Sequence, residues 1–473
     1  MAFGNNTWAR EDDTAFGAGA LQGSKASART VAVGANAGAS AVEATESVFV
    51  GNLSGSGSNG TRNVYTGYAA GSTGAVGSLN VGSGNYALAA SNGSHNVGQG
   101  TAAGGLVTGD KNVSIGYLAG TQADVDPNTG TPTGLTASTY SNAVNIGSDT
   151  QALANNAIAV GTSSSVAATM VGDIALGNNA KVTGINATKG GSASLAIGEN
   201  ALSTGSSEVV IGSNAGKGST RFTGNPGDVG FASDSALVGQ SAGLNSSYIY
   251  ATYLGQEAGN GSSGRHNSYV GQNAARYRDG SLNTALGSNA LVGTSSANKS
   301  VGGANTALGT STGANLVGDF NTLTGYGAGR DVIGSNNTAT GNYAGRAVTG
   351  NGNVALGNLA GTKVTGTPVY NNATGEVVAG SVTFSALSIN NTVAIGNLAL
   401  ASKDNAIAIG HGAQASGDSS ISIGTGNVVS GARSGAIGDP TYITGDDSYA
   451  IGNNNKIDAD SAFVLGNNVT VAA

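Results

Sequence analysis

Val393-Ala394-Ile395-Gly396, Ile407-Ala408-Ile409-Gly410, Ile421-Ser422-Ile423-Gly424, Tyr449-Ala450-Ile451-Gly452 and Phe463-Val464-Leu465-Gly466 are variations on one four-residue phrase. From Gly396 onward the closing glycine returns with a constant step, at Gly410, Gly424, Gly438, Gly452 and Gly466. A large apolar or β-branched residue alternates with Ala, Ser or Val at period two, which is the pattern of a half-buried strand. The glycine that follows supplies the backbone freedom a tight corner needs.

The same glycine can be followed back through the chain. It stands at Gly17, Gly34, Gly51, Gly67, Gly84, Gly100 and Gly116, and again at Gly239, Gly255, Gly271 and Gly287, with a slightly longer step. These longer units place an Asn four residues before the glycine, as at Asn63, Asn80, Asn96, Asn112, Asn267, Asn283, Asn305, Asn321, Asn337 and Asn353. An Ala-Gly pair often follows it, as in Ala119-Gly120, Ala258-Gly259, Ala344-Gly345 and Ala360-Gly361. Units of this length hold two short strands and two corners, one coil of a flattened solenoid. Stacked coils satisfy each other's backbone N–H and C=O groups. Like residues then lie over like, giving an Asn ladder and, by this reading, a continuous core of Ile. The fold class is therefore all-β, a parallel β-roll or β-solenoid with 14–17-residue coils. About 26 coils at roughly 4.8 Å each would make a rod on the order of 120 Å long.

Composition agrees. The 473 residues include 81 Gly, 5 Pro, 1 Trp and no Cys. A glycine at about every sixth position rules against helix, where each costs about 1 kcal/mol. Only 10 % of residues are charged, against about 25 % in an ordinary domain. The net charge of −7 offers no basic footprint for nucleic acid. No segment approaches the length of a membrane-spanning helix, and the first residues lack the basic and apolar regions of a secretory signal. Membrane insertion is not expected. The coil's outward residues are read as Ala, Ser and Thr, suited to close approach of a neighbour, and three-fold closure into a homotrimeric fibre is the economical solution.

The domain plan is a cap or docking tip at 1–16, where Trp8 stands beside Arg10, Glu11, Asp12 and Asp13. Long coils follow over 17–361, with insertions near 121–142 and 217–236. An inserted loop or hairpin occupies 362–392, and 14-residue coils fill 393–473.

Asn405-Ala406-Ile407-Ala408-Ile409-Gly410, Asp446-Asp447-Ser448-Tyr449-Ala450-Ile451-Gly452-Asn453-Asn454 and Ala462-Phe463-Val464-Leu465-Gly466-Asn467-Asn468-Val469-Thr470-Val471 resemble the YadA-type head repeats of trimeric autotransporter adhesins. The resemblance implies a trimer of left-handed parallel β-rolls that binds host surfaces. The longer Asn…Gly…Ala-Gly units look like relatives found in phage tail-fibre proteins. A signal peptide, a coiled-coil stalk and an outer-membrane anchor are not visible, which favours a virion fibre. Such a protein is made in the host cytoplasm and acts outside the cell, with other tail or baseplate proteins and a host cell-surface glycan or protein as partners. A bacterial trimeric surface adhesin and a polysaccharide-degrading tailspike are the competing readings.

The densest aromatic and basic region is the candidate for receptor binding: Arg221, Phe222, Tyr248, Tyr250, Tyr253, Arg265, His266, Tyr269, Arg276, Tyr277 and Arg278. Exposed aromatic platforms beside polar groups suit sugar rings or partner surfaces. The plainer alternative makes Tyr250 and Tyr269 coil-filling strand residues. Asp124, Asp126 and Asn128 have the alternating oxygens of a calcium loop, but the glycine falls late and a plain turn explains them better. No metal and no cofactor are expected. His95, His266 and His411 stand apart from any nucleophile motif, so no catalytic residue is assigned and the chain is not read as an enzyme.

Overall fold

The computed structural model describes the whole chain except residues 11, 126–131, 169, 184–192, 206, 222–233, 298, 368 and 370–380. It is all-β, a parallel β-solenoid of about 26 turns, with no helix among the described residues. Two compact units divide it: Met1–Lys217 with Asn225–Ser235, and Gly218–Gly224 with Ala236–Ala473.

In each unit the three residues before the repeating glycine form a strand that pairs in register with its equivalent one turn on. Val31, Ala32 and Val33 pair with Val48, Phe49 and Val50 in the first unit. Val393, Ala394 and Ile395 pair with Ile407, Ala408 and Ile409 in the second. The N-terminal residues continue this ladder, with Ala2 and Phe3 pairing with Ala15 and Phe16.

The strand faces the opposite way from the sequence-based expectation. Ala394, Ala408, Ser422, Ala436 and Ala450 point inward and are buried, while the large residues on either side point out. Ile437 is 47 % exposed and Ile451 42 % exposed. From this wall the core receives alanine or serine, and its larger apolar residues come from the opposite wall, where Val429, Ile443 and Ile457 are fully buried. So short a coil brings its two walls close together, and a large residue from one wall is met by a small one from the other, as Ile443 and Ile457 are by Ala436 and Ala450.

Where an inward residue is large, the opposite wall gives way. Tyr253 fills the coil at the place where Ala-Gly turns the chain, and a Cβ on Gly259 would lie 2.5 Å from the Tyr253 ring. The Ala-Gly pair is thus one small inward residue and one position kept empty.

The buried asparagines form a ladder that uses both ends of each amide. Asn321 N–H donates to Asn305 Oδ1 at 2.9 Å, and its Nδ2 donates to the Gly334 carbonyl at 3.0 Å. Its Oδ1 in turn accepts from Asn337 N–H at 3.0 Å. Asn321→Leu would leave the Asn337 N–H and the Gly334 carbonyl short of partners in the interior. A loss of about 2–4 kcal/mol is expected from two such orphaned groups. Thermal melting of the purified variant checks this, and an unshifted transition would contradict the ladder's role.

The first and third insertions leave their coils at the same step. Thr121 Oγ1 donates to the Ala102 carbonyl at 2.6 Å, and Thr362 Oγ1 to that of Tyr343 at 2.7 Å. Each insertion opens with an antiparallel pair, Gln122–Val125 with Pro132–Thr136 and Lys363–Thr365 with Thr383–Ser385. Each rejoins the solenoid in parallel, at Ser138 beside Val107 and at Leu387 beside Val348. At the base of the second arm Arg346 lies 3.8 Å over the Phe384 ring, and Phe384 contacts Tyr343 with centroids 5.4 Å apart. Of the loop or hairpin expected over 362–392, residues 368 and 370–380 lie outside the described residues.

Candidate recognition surface

The eleven candidate receptor residues are divided by the coil wall. Tyr248, Tyr253, Tyr269 and Arg278 are each at most 1 % exposed, so they are interior residues and do not form a receptor surface. Tyr253 and Tyr269 occupy the inward centre of consecutive strands and stack with centroids 4.9 Å apart at 6°. Burial pushes the Tyr253 phenol up to about 12 and raises that of Tyr269 well above its ordinary value. Period-two alternation fixes these side chains inward whatever their chemistry.

Arg278 follows the same rule on the opposite wall. It pairs in register with Ser300, in a position that other turns fill with residues such as Leu316 and Val332. Its Nη1 donates to the Leu316 carbonyl and its Nη2 to the Gly302 carbonyl, both at 2.7 Å. Burial lowers its pKa to about 10. It ties turns together through their carbonyls.

Tyr250, Arg265, His266, Arg276 and Tyr277 stay accessible. Tyr250 and His266 occupy equivalent corners on successive turns, with left-handed φ of 54° and 55°. Their rings stack with centroids 4.8 Å apart at 17°. His266 is exposed and Tyr250 half-buried. Left-handed backbone at residues other than Gly or Asn carries a strain of about 1–3 kcal/mol, and here it presents a flat aromatic pair at the surface. Arg265 is half-buried in the preceding strand, with its backbone N–H on Ser281 Oγ at 3.1 Å.

On another edge Arg276 pairs with Glu257 at 2.6 Å, donates to Tyr277 Oη at 2.8 Å and lies 4.7 Å over the Tyr277 ring. Arg221 joins the strand ladder beside Tyr248. Phe222 lies outside the described residues. Asp124 sits in the first arm's antiparallel pair opposite Thr133, and Asp126 and Asn128 lie outside the described residues.

Sequence reasoning missed a second surface. The outward strand positions beside each repeating glycine are Val31 and Val33, Val48 and Val50, Ile158 and Val160, Thr284 and Leu286, Ile407 and Ile409, Tyr449 and Ile451, and their equivalents. Among the described residues of this wall no outward position in either unit is Asp, Glu, Lys or Arg. The opposite wall does carry charge at such positions, at Lys181 and Lys456. A face that is largely apolar, with Ser, Thr and Gln as its only polar residues and no charge on turn after turn, is unlike ordinary solvent-exposed surface. The signal is present in the sequence as the large members of each alternating pair, which ordinary burial preference assigns to the interior.

The geometry defines a parallel β-roll that repeats one outward apolar wall. Residues 141–164, 168–188, 390–413 and 415–439 match the YadA head domain repeat, described in two copies. The first two segments lie within 17–361, and their strands Gln151–Ala152 and Lys181–Val182 each pair in parallel with Ser165–Val166 between them, the same two-walled coil seen beyond residue 393. No curated protein matches the chain.

Proposed function

We propose that the chain is the body of a homotrimeric adhesive fibre, structural and not catalytic, that carries recognition groups to a host cell surface. The observation that carries this reading is the charge-free apolar wall. A lone chain would leave it in water, and a partner able to cover every turn needs the same repeat, which a second and a third copy of the chain supply. YadA-type heads are trimeric in general, which supports three copies. The edges away from this wall carry the Tyr250–His266 pair and the Arg276–Tyr277–Glu257 cluster, groups suited to a cell-surface glycan or protein.

We place the fibre on a phage tail, made in the host cytoplasm and assembled with other tail or baseplate proteins. The YadA head repeats equally favour a bacterial surface adhesin. Immunogold labelling of infected cultures separates the two: label on particle tails supports the first, label on the surface of uninfected cells the second.

The recognition site has its own test. Tyr250→Ala with His266→Ala removes the stacked pair without touching the coil interior. At least a tenfold loss of adsorption to host cells is expected, with an unchanged melting temperature. Adsorption equal to that of the unsubstituted protein would remove this pair from the site.

A further inference from the structure

A wall of equivalent rungs raises a problem that its own sequence answers. If copies pack through this wall, as the proposed trimer requires, a slip of one rung, roughly 4.8 Å, places apolar rungs on apolar rungs again. Nothing in a uniform ladder opposes it. The wall is not uniform, however. In the second unit the outward column after the inward residue runs Leu286, Leu308, Thr324, Thr340, Leu356, Ile395, each stacked in register on the next. The other outward column carries hydroxyls on the rungs before as well, running Ser268, Thr284, Thr306, Thr322, Thr338, and it changes to Val354 on the next rung, so both columns are threonine on two rungs only. The result is a two-rung hydroxyl notch with a sharp apolar edge on its far side.

We propose that this notch sets the axial register between copies of the chain. Rotation about an axis along the stack keeps equivalent rungs at one height. In register, the threonines of one copy lie level with those of its neighbours and can exchange hydrogen bonds with them. Slipped by one rung, Thr340 lies level with a neighbour's Leu356, and Thr324 with Leu308 on the other side. A hydroxyl enclosed by methyl groups loses its water without gaining a partner, whereas methyl on methyl loses nothing. A polar step in a largely apolar seam is a device by which other repeating assemblies fix register at some expense of stability.

Because the chain has no cysteine, introduced thiols report without background. Chains bearing Leu286→Cys and chains bearing Leu308→Cys, differently tagged, are co-expressed and oxidised to form disulfides directly, which requires the paired Cβ atoms to lie within about 4 Å. Positions 286 and 308 lie on adjacent rungs. With the notch intact, same-position cross-links should dominate. With Thr324→Val and Thr340→Val added to both chains, the 286–308 cross-link should rise at least fivefold while the assembly keeps the mass of three chains.

A 286–308 yield unchanged by the valines would overturn the proposal, as would free mixing of the two products with the notch intact. A particle mass of one chain, measured first, would instead show that the trimer reading has failed and the register proposal with it.

Discussion

Valine at position 424 is expected to open the solenoid around its turn and cost about 3–5 kcal/mol, at the upper end for a single substitution. Gly424 has φ of 132°, a region closed to side-chain-bearing residues. Its missing Cβ would be driven into the carbonyl oxygen of Gly438 on the next turn, with Asn427 Nδ2 2.8 Å away on another side. The turn cannot back off alone. Gly424 N–H donates to the Ile409 carbonyl at 2.8 Å, and Gly438 N–H to the Ile423 carbonyl at 3.0 Å. Moving either strand breaks bonds to the turns before and after it. Stability in stacked repeats is held between nearest neighbours, so the damage should be local. Hydrogen exchange should show lost protection over about three turns, with distant turns intact. Full protection at Ile409 and Ile423 would contradict the close approach.

A second large effect should appear with no loss of fold. Ile409→Asp together with Ile437→Asp puts two carboxylates per chain on the outward wall. Ile437 is 47 % exposed in the single chain, so these changes leave the coil interior untouched. In a trimer packed through this wall, six carboxylates would lose water at the interface without partners. Removing even one partner from a buried charge costs about 3–5 kcal/mol. The copies should separate to single chains whose circular dichroism is unchanged. Persistence of the assembly at micromolar concentration would mean that another face joins the copies.

Much of the architecture is legible in the residues, because the features that make a solenoid are local. Glycine at a corner and asparagine four residues earlier have one structural use each, and Asn321 and Gly424 are found in those uses. The direction of the strand is not legible in the same way. Alternation at period two states that Ile407 and Ile409 share a side and Ala408 takes the other. Which side is inside depends on the distance between the two walls, a property of the closed coil that no single strand carries. Ordinary burial preference puts isoleucine inside, and the coil satisfies it on only one wall, burying Ile443 and Ile457 while turning Ile407 and Ile409 outward.

The same gap explains the candidate recognition residues. Tyr269 and Tyr250 are equally aromatic in the sequence, yet one is a strand centre and the other a corner. Counting from the glycine separates them: Tyr269 lies two before Gly271 and so points inward, while Tyr250 lies five before Gly255 and falls on the left-handed corner. The earlier YadA-like stretch is obscured by spacing. Gly147 and Gly161 keep the short step of the C-terminal coils, but the longer steps on to Gly177 and then Gly198 hide the continuation. The paired strands Ser165–Val166 and Lys181–Val182 make it plain.

The number of chains that close around the outward wall is read most directly by the mass of the purified protein in solution, from sedimentation equilibrium at low micromolar concentration. Three times the 45.4 kDa of one chain is the predicted result. A single species at 45.4 kDa would leave Ile437, Ile451 and Leu465 facing water and would contradict the account.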